Sequence, residues 1–413
     1  QFTGVSDGRA TVLVELLDGA TTELVTNDEI PVRLDNLHTA LDTLVLRIEE
    51  VLRPALGHDI RLRQWQAGTR DTVALRRRYQ AAQRSSAARE LAGYDPVAAE
   101  REFAAADSIL DRVSDRDPGW IEPHLARARL ADRWALTRLM QGNRPGAAAS
   151  YDRGIERADA ALNLDDQNAE ALALRGYLLW RKAVLAWRGD ETARAALVDQ
   201  AEAELRRALN LDRGQVIANA GLSEILFRER RSYAEARQLA LEAYNQDAYL
   251  DRAGEIINRI AISSLEVGED EEAMAWSELG LRRDPGALSH LSAVLDIMAW
   301  GDVEPDPDRA WRHLQTIAGA QPAMGQYYSF DMAAILARAG LVDSARAVLE
   351  RNRARLDPAA RNAYMELEAA TLFRIGDTAQ ARSVFRKYMA GAPVEARQMA
   401  SRRMLRDYVD VPE

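Results

Sequence analysis

GEDEEAMAWSELGLRRDP, residues 268–285, decides how the rest of the chain is read. Gly268 suits the end of a helix, because a residue without a Cβ takes positive φ at little cost. Glu269 to Glu272 then place negative charge in the first turn of the next helix, where the macrodipole favours it. Ala273, Ser277 and Gly280 follow at i, i+4 and i+7, a stripe of small side chains on one face against which a second helix can lie closely. Asp284-Pro285 stops the element, since an interior proline costs about 3 kcal/mol. The stretch is the second helix of a helical hairpin.

Outward from it the same pattern repeats. Hairpins are expected at about 72–117, 119–166, 169–212, 216–247, 250–285, 288–322, 326–358 and 360–393, with a final helix at 394–409. Second-helix stripes such as Gly154/Ala158/Ala161, Ala201/Leu205/Ala208 and Ala236/Ala240/Ala243 set the register, as does Ala310/Leu314/Ile317. Pro285, Pro322, Pro358 and Pro393 lie 37, 36 and 35 residues apart. First helices carry a small residue where the two helices of a hairpin cross: Ala128, Gly176, Ser223, Ala261, Ala333 and Ala369. Longer stretches near Gln141–Pro145 and Gly189–Ala196 are expected to project as longer helices and loops on one edge. In 394–409, Arg397, Arg402, Arg403 and Arg406 beside Met399 and Met404 fit a cap with one buried and one wet face.

The spacing and stripes resemble the tetratricopeptide repeat (TPR), whose period is 34 residues. The resemblance implies a mainly α fold: an α-solenoid of about eight TPR-like hairpins with a C-terminal capping helix over residues 71–413, preceded by a small α/β segment at 1–70.

That first segment is read from its own residues. Thr11 to Leu17 (TVLVELL) is rich in β-formers, Asp18-Gly19 is a hairpin turn signal, and Thr21 to Thr26 can return as a partner strand. Leu37, Leu41, Leu44, Ile48 and Val51 then mark a helix, and His58 to Trp65 alternates as one more strand. Hairpin, helix and LRPALGHDIRLRQWQAGT, followed by helical repeats, resemble the end of a TolB-like amino-terminal domain. The resemblance implies attachment to a bacterial regulator, some of which carry serine/threonine kinase or nucleotide cyclase domains upstream.

Composition narrows the partners. A formal net charge of −10 argues against nucleic acid or an anionic membrane as the main partner. No apolar run reaches the roughly 18 residues needed to span a bilayer, and no secretory leader opens the chain. A start at Gln1 points to a processed or partial chain. The absence of cysteine removes disulfides and thiolate sites without fixing the compartment, which stays open between bacterial cytoplasm and periplasm.

Chemistry-bearing motifs are missing. The five histidines, His38, His58, His124, His290 and His313, are scattered with no metal-ligand spacing. There is no Walker lysine motif, no GxGxxG after a strand, no GxSxG and no kinase catalytic loop. No cofactor, metal or catalytic residue is expected. Gly301 to Asp308 (GDVEPDPD) is acidic, but Pro305 and Pro307 obstruct a calcium loop, and Asp306 or Asp308 suits a helix cap better.

The candidate binding residues lie near the ends of the first helices. Arg133, Arg181, Arg228, Arg338 and Arg374 share one repeat position, and Trp180, Phe227 and Phe373 precede three of them. Guanidiniums with interleaved aromatics would suit an extended acidic segment or a free carboxylate on a concave groove. Two other readings stay open: last-turn arginines are favoured by the macrodipole whatever the groove does, and the aromatics can simply fill the core. The same choice holds for Tyr327, Tyr328 and Phe330 with Trp300 and Trp311, which suit packing between hairpins or a partner patch. The functional expectation is a non-catalytic protein–protein interaction scaffold, a regulatory or sensory arm that docks a protein or peptide segment. A self-assembling homo-oligomer, or the tail of an upstream kinase or cyclase domain, is the alternative.

Overall fold

Helix starts are set locally by short polar side chains. Asp71 accepts hydrogen bonds from the amides of Val73 and Ala74 at 2.8 and 3.1 Å. Asp95, Asn143, Asn168, Gln215 and Asp306 likewise each accept from an amide in the first turn of a helix, and Pro96 and Pro307 follow two of these caps at positions that need no donor.

The computed structural model describes residues 2–6, 9–17, 24–33, 65, 68–186, 190–246, 253–356 and 364–391. Among them, sixteen α-helices follow one another as eight pairs: α1 (Thr72–Leu91) and α2 (Pro96–Arg116), α3 (Glu122–Met140) and α4 (Arg144–Leu164), α5 (Ala169–Leu185) and α6 (Glu191–Leu211), α7 (Val216–Ile225) and α8 (Tyr233–Gln246), α9 (Ala253–Val267) and α10 (Asp270–Arg283), α11 (Leu288–Trp300) and α12 (Pro307–Ala320), α13 (Pro322–Arg338) and α14 (Val342–Arg355), α15 (Met365–Ile375) and α16 (Thr378–Gly391). A π-helical turn, Leu226–Arg230, extends α7. The fold is mainly α, a stacking of TPR-like helical hairpins.

The chain divides into two compact units, Gln1–Ala201 and Glu202–Glu413, with the boundary inside α6. In the first, α1, α3 and α5 touch in succession, and α2 and α4 pack against the first helices on either side of them. In the second, α7, α9, α11, α13 and α15 form the corresponding row, with α8, α10, α12 and α14 packed between them.

The stripes of small residues are the seams of this packing. Ala158, Ala161, Ala201, Ala208, Ala236, Ala240, Ala243 and Ala273 are fully buried, as are the first-helix positions Ala128, Ala261, Ala333 and Ala369. Two glycines mark the closest approaches. A Cβ on Gly154 would lie 2.8 Å from both Ala131 Cβ and Leu178 Cδ1, and one on Gly280 would lie 2.3 Å from the His290 ring. Gly268 ends α9 at φ 94°, as its place in the sequence requires.

Several expectations need correction. The seventh hairpin begins at Pro322, not near residue 326, because the proline expected to end a helix instead opens one, at a first-turn position where its missing amide costs nothing. The extra length near residues 141–145 forms no projecting loop: α3 ends at Met140 and α4 starts at Arg144. That length sits in the helices, so α2, α4 and α6 each have 21 residues. Asp306 caps α12 through the Arg309 amide at 2.9 Å.

At the amino terminus, β1 (Phe2–Ser6), β2 (Arg9–Leu17) and β3 (Leu24–Arg33) make an antiparallel sheet in that order. Thr11 pairs with Pro31 and Val12 with Ile30. The expected partner strand therefore starts later and runs further than Thr21 to Thr26, and β1 is additional. The helix expected over 37–51, most of the strand at 58–65 and the capping helix at 394–409 lie outside the described residues; Trp65 itself is helical.

Candidate functional site

The rows of first helices hold the charges that differ most in how they are met. In the first unit a chain of described charges is paired link to link. Trp65 lies under the Arg78 guanidinium, 4.0 Å from ring centroid to Cζ. Arg78 donates to Glu122 at 2.8 Å, and Arg129 joins Glu122 at 3.1 Å to Glu170 on α5. Burial works to raise the Glu122 carboxyl, but Arg129 and Arg78 outweigh it and hold it below the ordinary carboxylate range. Glu100 is met in the same way: it accepts from Trp134 Nε1 at 2.5 Å and Arg138 Nε at 2.8 Å. A cleft between α2 and α4, floored by α3, is lined by Asp107, Arg127, Trp134, Arg153 and Arg157. Arg127 in it is bound by Asp107 at 2.7 Å and by Asp111.

The arginine positions proposed from sequence are largely engaged within the chain. Arg181 Nε lies 3.4 Å from the Tyr151 hydroxyl and 3.9 Å from Asp132. Arg338 donates to the Val303 carbonyl at 2.7 Å and to that of Met298, tying down the end of α11 and the loop beyond. Arg374 lies 5.5 Å from the Trp300 ring centroid. Arg228 pairs with Glu224 at 3.1 Å and keeps more than half of its side chain exposed; Arg133 is half-buried on α3.

Of the aromatics, Trp180 and Phe373 are buried at 1% and 4% exposure and fill the core. Phe227 is half-buried, edge-on to Tyr233 and under Arg259, whose Cζ is 5.0 Å from its centroid. Both Phe227 and Arg228 sit on the π-helical turn, whose extra residue rotates them away from the repeat position that an uninterrupted α-helix would give.

The second unit brings Ser292, Asp296 and Asp331, which the sequence reading did not single out, together with Trp300, Tyr327 and Tyr328, which it read as packing or a partner patch. Ser292, Asp296 and Trp300 recur at i, i+4 and i+8 along α11, while Tyr327 and Tyr328 precede Asp331 by four and three residues on α13. Two rungs join the stripes: Trp300 Nε1 donates to Asp331 Oδ1 at 2.8 Å, and Ser292 hydrogen-bonds the Tyr328 hydroxyl. Asp331 is fully buried, and its other oxygen, Oδ2, has no hydrogen-bond partner. Asp296, half-buried, lies between the rungs.

Burial, reinforced by Asp331 and then Glu266, pushes the Asp296 carboxyl well above its ordinary range. Burial also raises Asp331 against the opposing hydrogen bond from Trp300. Among the described residues no cation contributes at either carboxyl. Burial and the same carboxyls push the hydroxyls of Tyr327 and Tyr328 up. Tyr327 and Phe330 continue the aromatic surface to Tyr364 on the α15 side, at 6.1 and 5.4 Å between centroids. The available signal was Asp331 itself, the one acid of its helix, flanked by Phe330 and Met332.

No family model and no curated protein matches the chain. Among solved structures it is similar to a tetratricopeptide repeat protein from Parabacteroides merdae, at 12% identity, 68% of this chain, 99% of that one and a TM-score of 0.41. It is also similar to PilF of Pseudomonas aeruginosa, at 19% identity, 55% of this chain, 90% of that one and a TM-score of 0.37. YrrB, described as a TPR protein with an unusual peptide-binding site, matches at 15% identity over 52% of this chain and 92% of that one, with a TM-score of 0.33. The resemblance of residues 1–70 to a TolB-like domain gains no support from these comparisons.

Proposed function

We propose that the chain is a non-catalytic protein-interaction scaffold that docks an extended segment of a partner protein against a row of first helices. The observation that carries the reading is the half-buried Asp296 on the row of the second unit, beside Tyr327 and Tyr328, where burial raises a carboxyl that no described residue meets with a cation. A fold spends stability on such a group without return, so its use is expected to lie in binding. Among the described residues no helix is long and apolar enough to cross a membrane.

In this reading the arginine column is a secondary feature. Arg181, Arg338 and Arg374 hold the scaffold together, and Arg228, the most exposed in its pairing, offers an acidic residue of the docked segment a guanidinium for which Glu224 competes. Arg133, Phe227, Trp180 and Phe373 shape the row from beneath or beside it.

Panning a library of random 12-residue peptides against the full chain, followed by hydrogen exchange with a selected peptide, tests the proposal. Protection is expected over α9, α11 and α13. Protection confined to α10, α12 and α14, or no selected peptide at all, would sink it.

A further inference from the structure

The carboxyl pair of the second unit also specifies what kind of group it takes. This step rests on the docking reading above and deepens it. Three independent features converge. Asp331 is wholly buried with one oxygen bound by Trp300 and the other without a hydrogen-bond partner, so a second carboxyl beside it is costly unless positive charge is brought to the pair. Asp296 has its carboxyl raised by Asp331 and then Glu266, and among the described residues no guanidinium or ammonium lowers it. Arg374 is placed over the Trp300 ring rather than against either carboxyl. Finally, Tyr327 and Tyr328 lie close enough for both carboxyls to act on their hydroxyls, and aromatic rings attract cations as carboxylates do.

We propose that Asp296, backed by the buried Asp331 and flanked by Tyr327 and Tyr328, is the receptor for the ammonium of a lysine or the guanidinium of an arginine carried by the docked segment. An organic cation fits better than a metal ion. The described residues contain no group of three His, Asp or Glu side chains placed to hold a metal, whereas two carboxyls with neighbouring rings suit the three donors of an ammonium or the planar fork of a guanidinium. The chain's net charge of −10 attracts a basic segment in the same sense.

The geometry explains why the acids persist in the row. Until the segment docks, the like-charged pair is held together by the surrounding packing at a cost in stability. Docking places positive charge against the half-buried Asp296, where it also offsets the charge of the Asp331 carboxyl behind it.

The test uses the full chain and two fluorescent 12-residue Gly-Ser peptides, one with three lysines and one with three glutamines, by anisotropy at pH 8 and low salt. The lysine peptide is expected to bind at least tenfold more tightly, and Asp296→Asn to remove most of that preference. Because a binding variant could fail merely by unfolding, thermal midpoints are read in parallel. Asp296→Asn and Asp331→Asn should each raise the midpoint while weakening the lysine peptide, the opposite of what loss of a structural residue does. Equal binding of the two peptides, or undiminished lysine binding to Asp296→Asn, overturns this site; if a panned peptide still protects α9, α11 and α13, the docking reading stands without it. Displacement of the lysine peptide by micromolar calcium would make the pair a metal site and equally overturn the assignment.

Discussion

The two units differ in the length of their second helices and in how their charges are met. In the first unit, and across its boundary, α2, α4 and α6 have 21 residues each; in the second, α8, α10, α12, α14 and α16 have 14 each. Seven residues are two turns, about 10 Å of helix. In the first unit these long helices carry acids that meet the next first helix: Glu100 with Arg138, Asp107 with Arg127, Asp152 with Lys182 and Asp159 with Arg175. In the second unit the polarity is reversed where Arg353 of a second helix reaches the buried Glu368 of a first one, and among the described residues no cation reaches Asp296. A carboxyl brought to a cation belongs to the architecture; one left without a cation has a different use.

The sharpest way to break this comparison is at the seams both units share. Gly154→Val should cost about 3 kcal/mol, because its Cβ alone would press on Ala131 and Leu178 from two different first helices, and a buried crossing has little room to yield. Gly280→Val meets the His290 ring, a side chain at 2% exposure that can shift somewhat, and should cost about 2 kcal/mol. Urea midpoints of the two variants check the order. Equal and negligible losses would mean that the hairpins do not cross where the stripes place them.

Charge gives the next effect, with opposite signs in the two units. Glu122→Gln leaves Arg78 and Arg129 with weaker acceptors and should cost about 2 kcal/mol at pH 7, somewhat below the range for a fully buried pair because Arg129 retains some solvent. With its native pKa depressed, Glu122 contributes stability above its unfolded value of about 4.3, and that contribution disappears as pH falls through the native value.

Asp331→Asn should instead stabilise by about 1–2 kcal/mol at pH 8. A raised native pKa means that wild-type stability falls as pH climbs from about 3.9 through the native value, whereas asparagine carries no charge to penalise. The gain should vanish near pH 4, where the aspartate is protonated. His290, whose pKa burial depresses, loses stability below about pH 6.5 in both chains, so it cancels from the difference. Urea titrations of wild type and variant at pH 8 and pH 4 decide; a variant less stable than wild type at pH 8 would place Asp331 with the structural carboxyls.

These contrasts also mark what the sequence could carry. Hairpin order, seams and most boundaries follow from local rules, since a small residue every fourth position and a glycine or proline at a helix end act within a turn or two of themselves. Pro322 misled only because the same ring that ends one helix can open the next. The binding face is a relation between hairpins. Whether Arg338 is free depends on the carbonyls of Met298 and Val303, 40 and 35 residues away, and whether Asp296 is met depends on side chains of α9 and α13. Trp180 and Phe373 are adjacent to arginines in sequence yet buried in the packing, a distinction that periodicity alone does not make.

The smallest expected effect concerns a turn that departs from its neighbours. Between the helices of four hairpins the left-handed position is filled by Gly142, Gly268, Gly340 and Gly376, at φ of 74°, 94°, 77° and 87°. After α7 the same duty falls to Arg231 at φ 50°, directly behind the π-helical turn. A side chain there costs about 1 kcal/mol relative to glycine, partly recovered by the hydrogen bond of Arg231 to the Tyr233 hydroxyl at 3.3 Å. Arg231→Gly should therefore stabilise by about 0.5 kcal/mol, since the strain relieved exceeds the exposed bond lost and glycine returns some of the gain as chain entropy. If thermal unfolding shows a loss instead, the contacts of Arg231 hold the turn more strongly than its backbone strains it. The π-helical turn would then be maintained by that side chain, and Phe227 and Arg228 would owe their displaced positions to it.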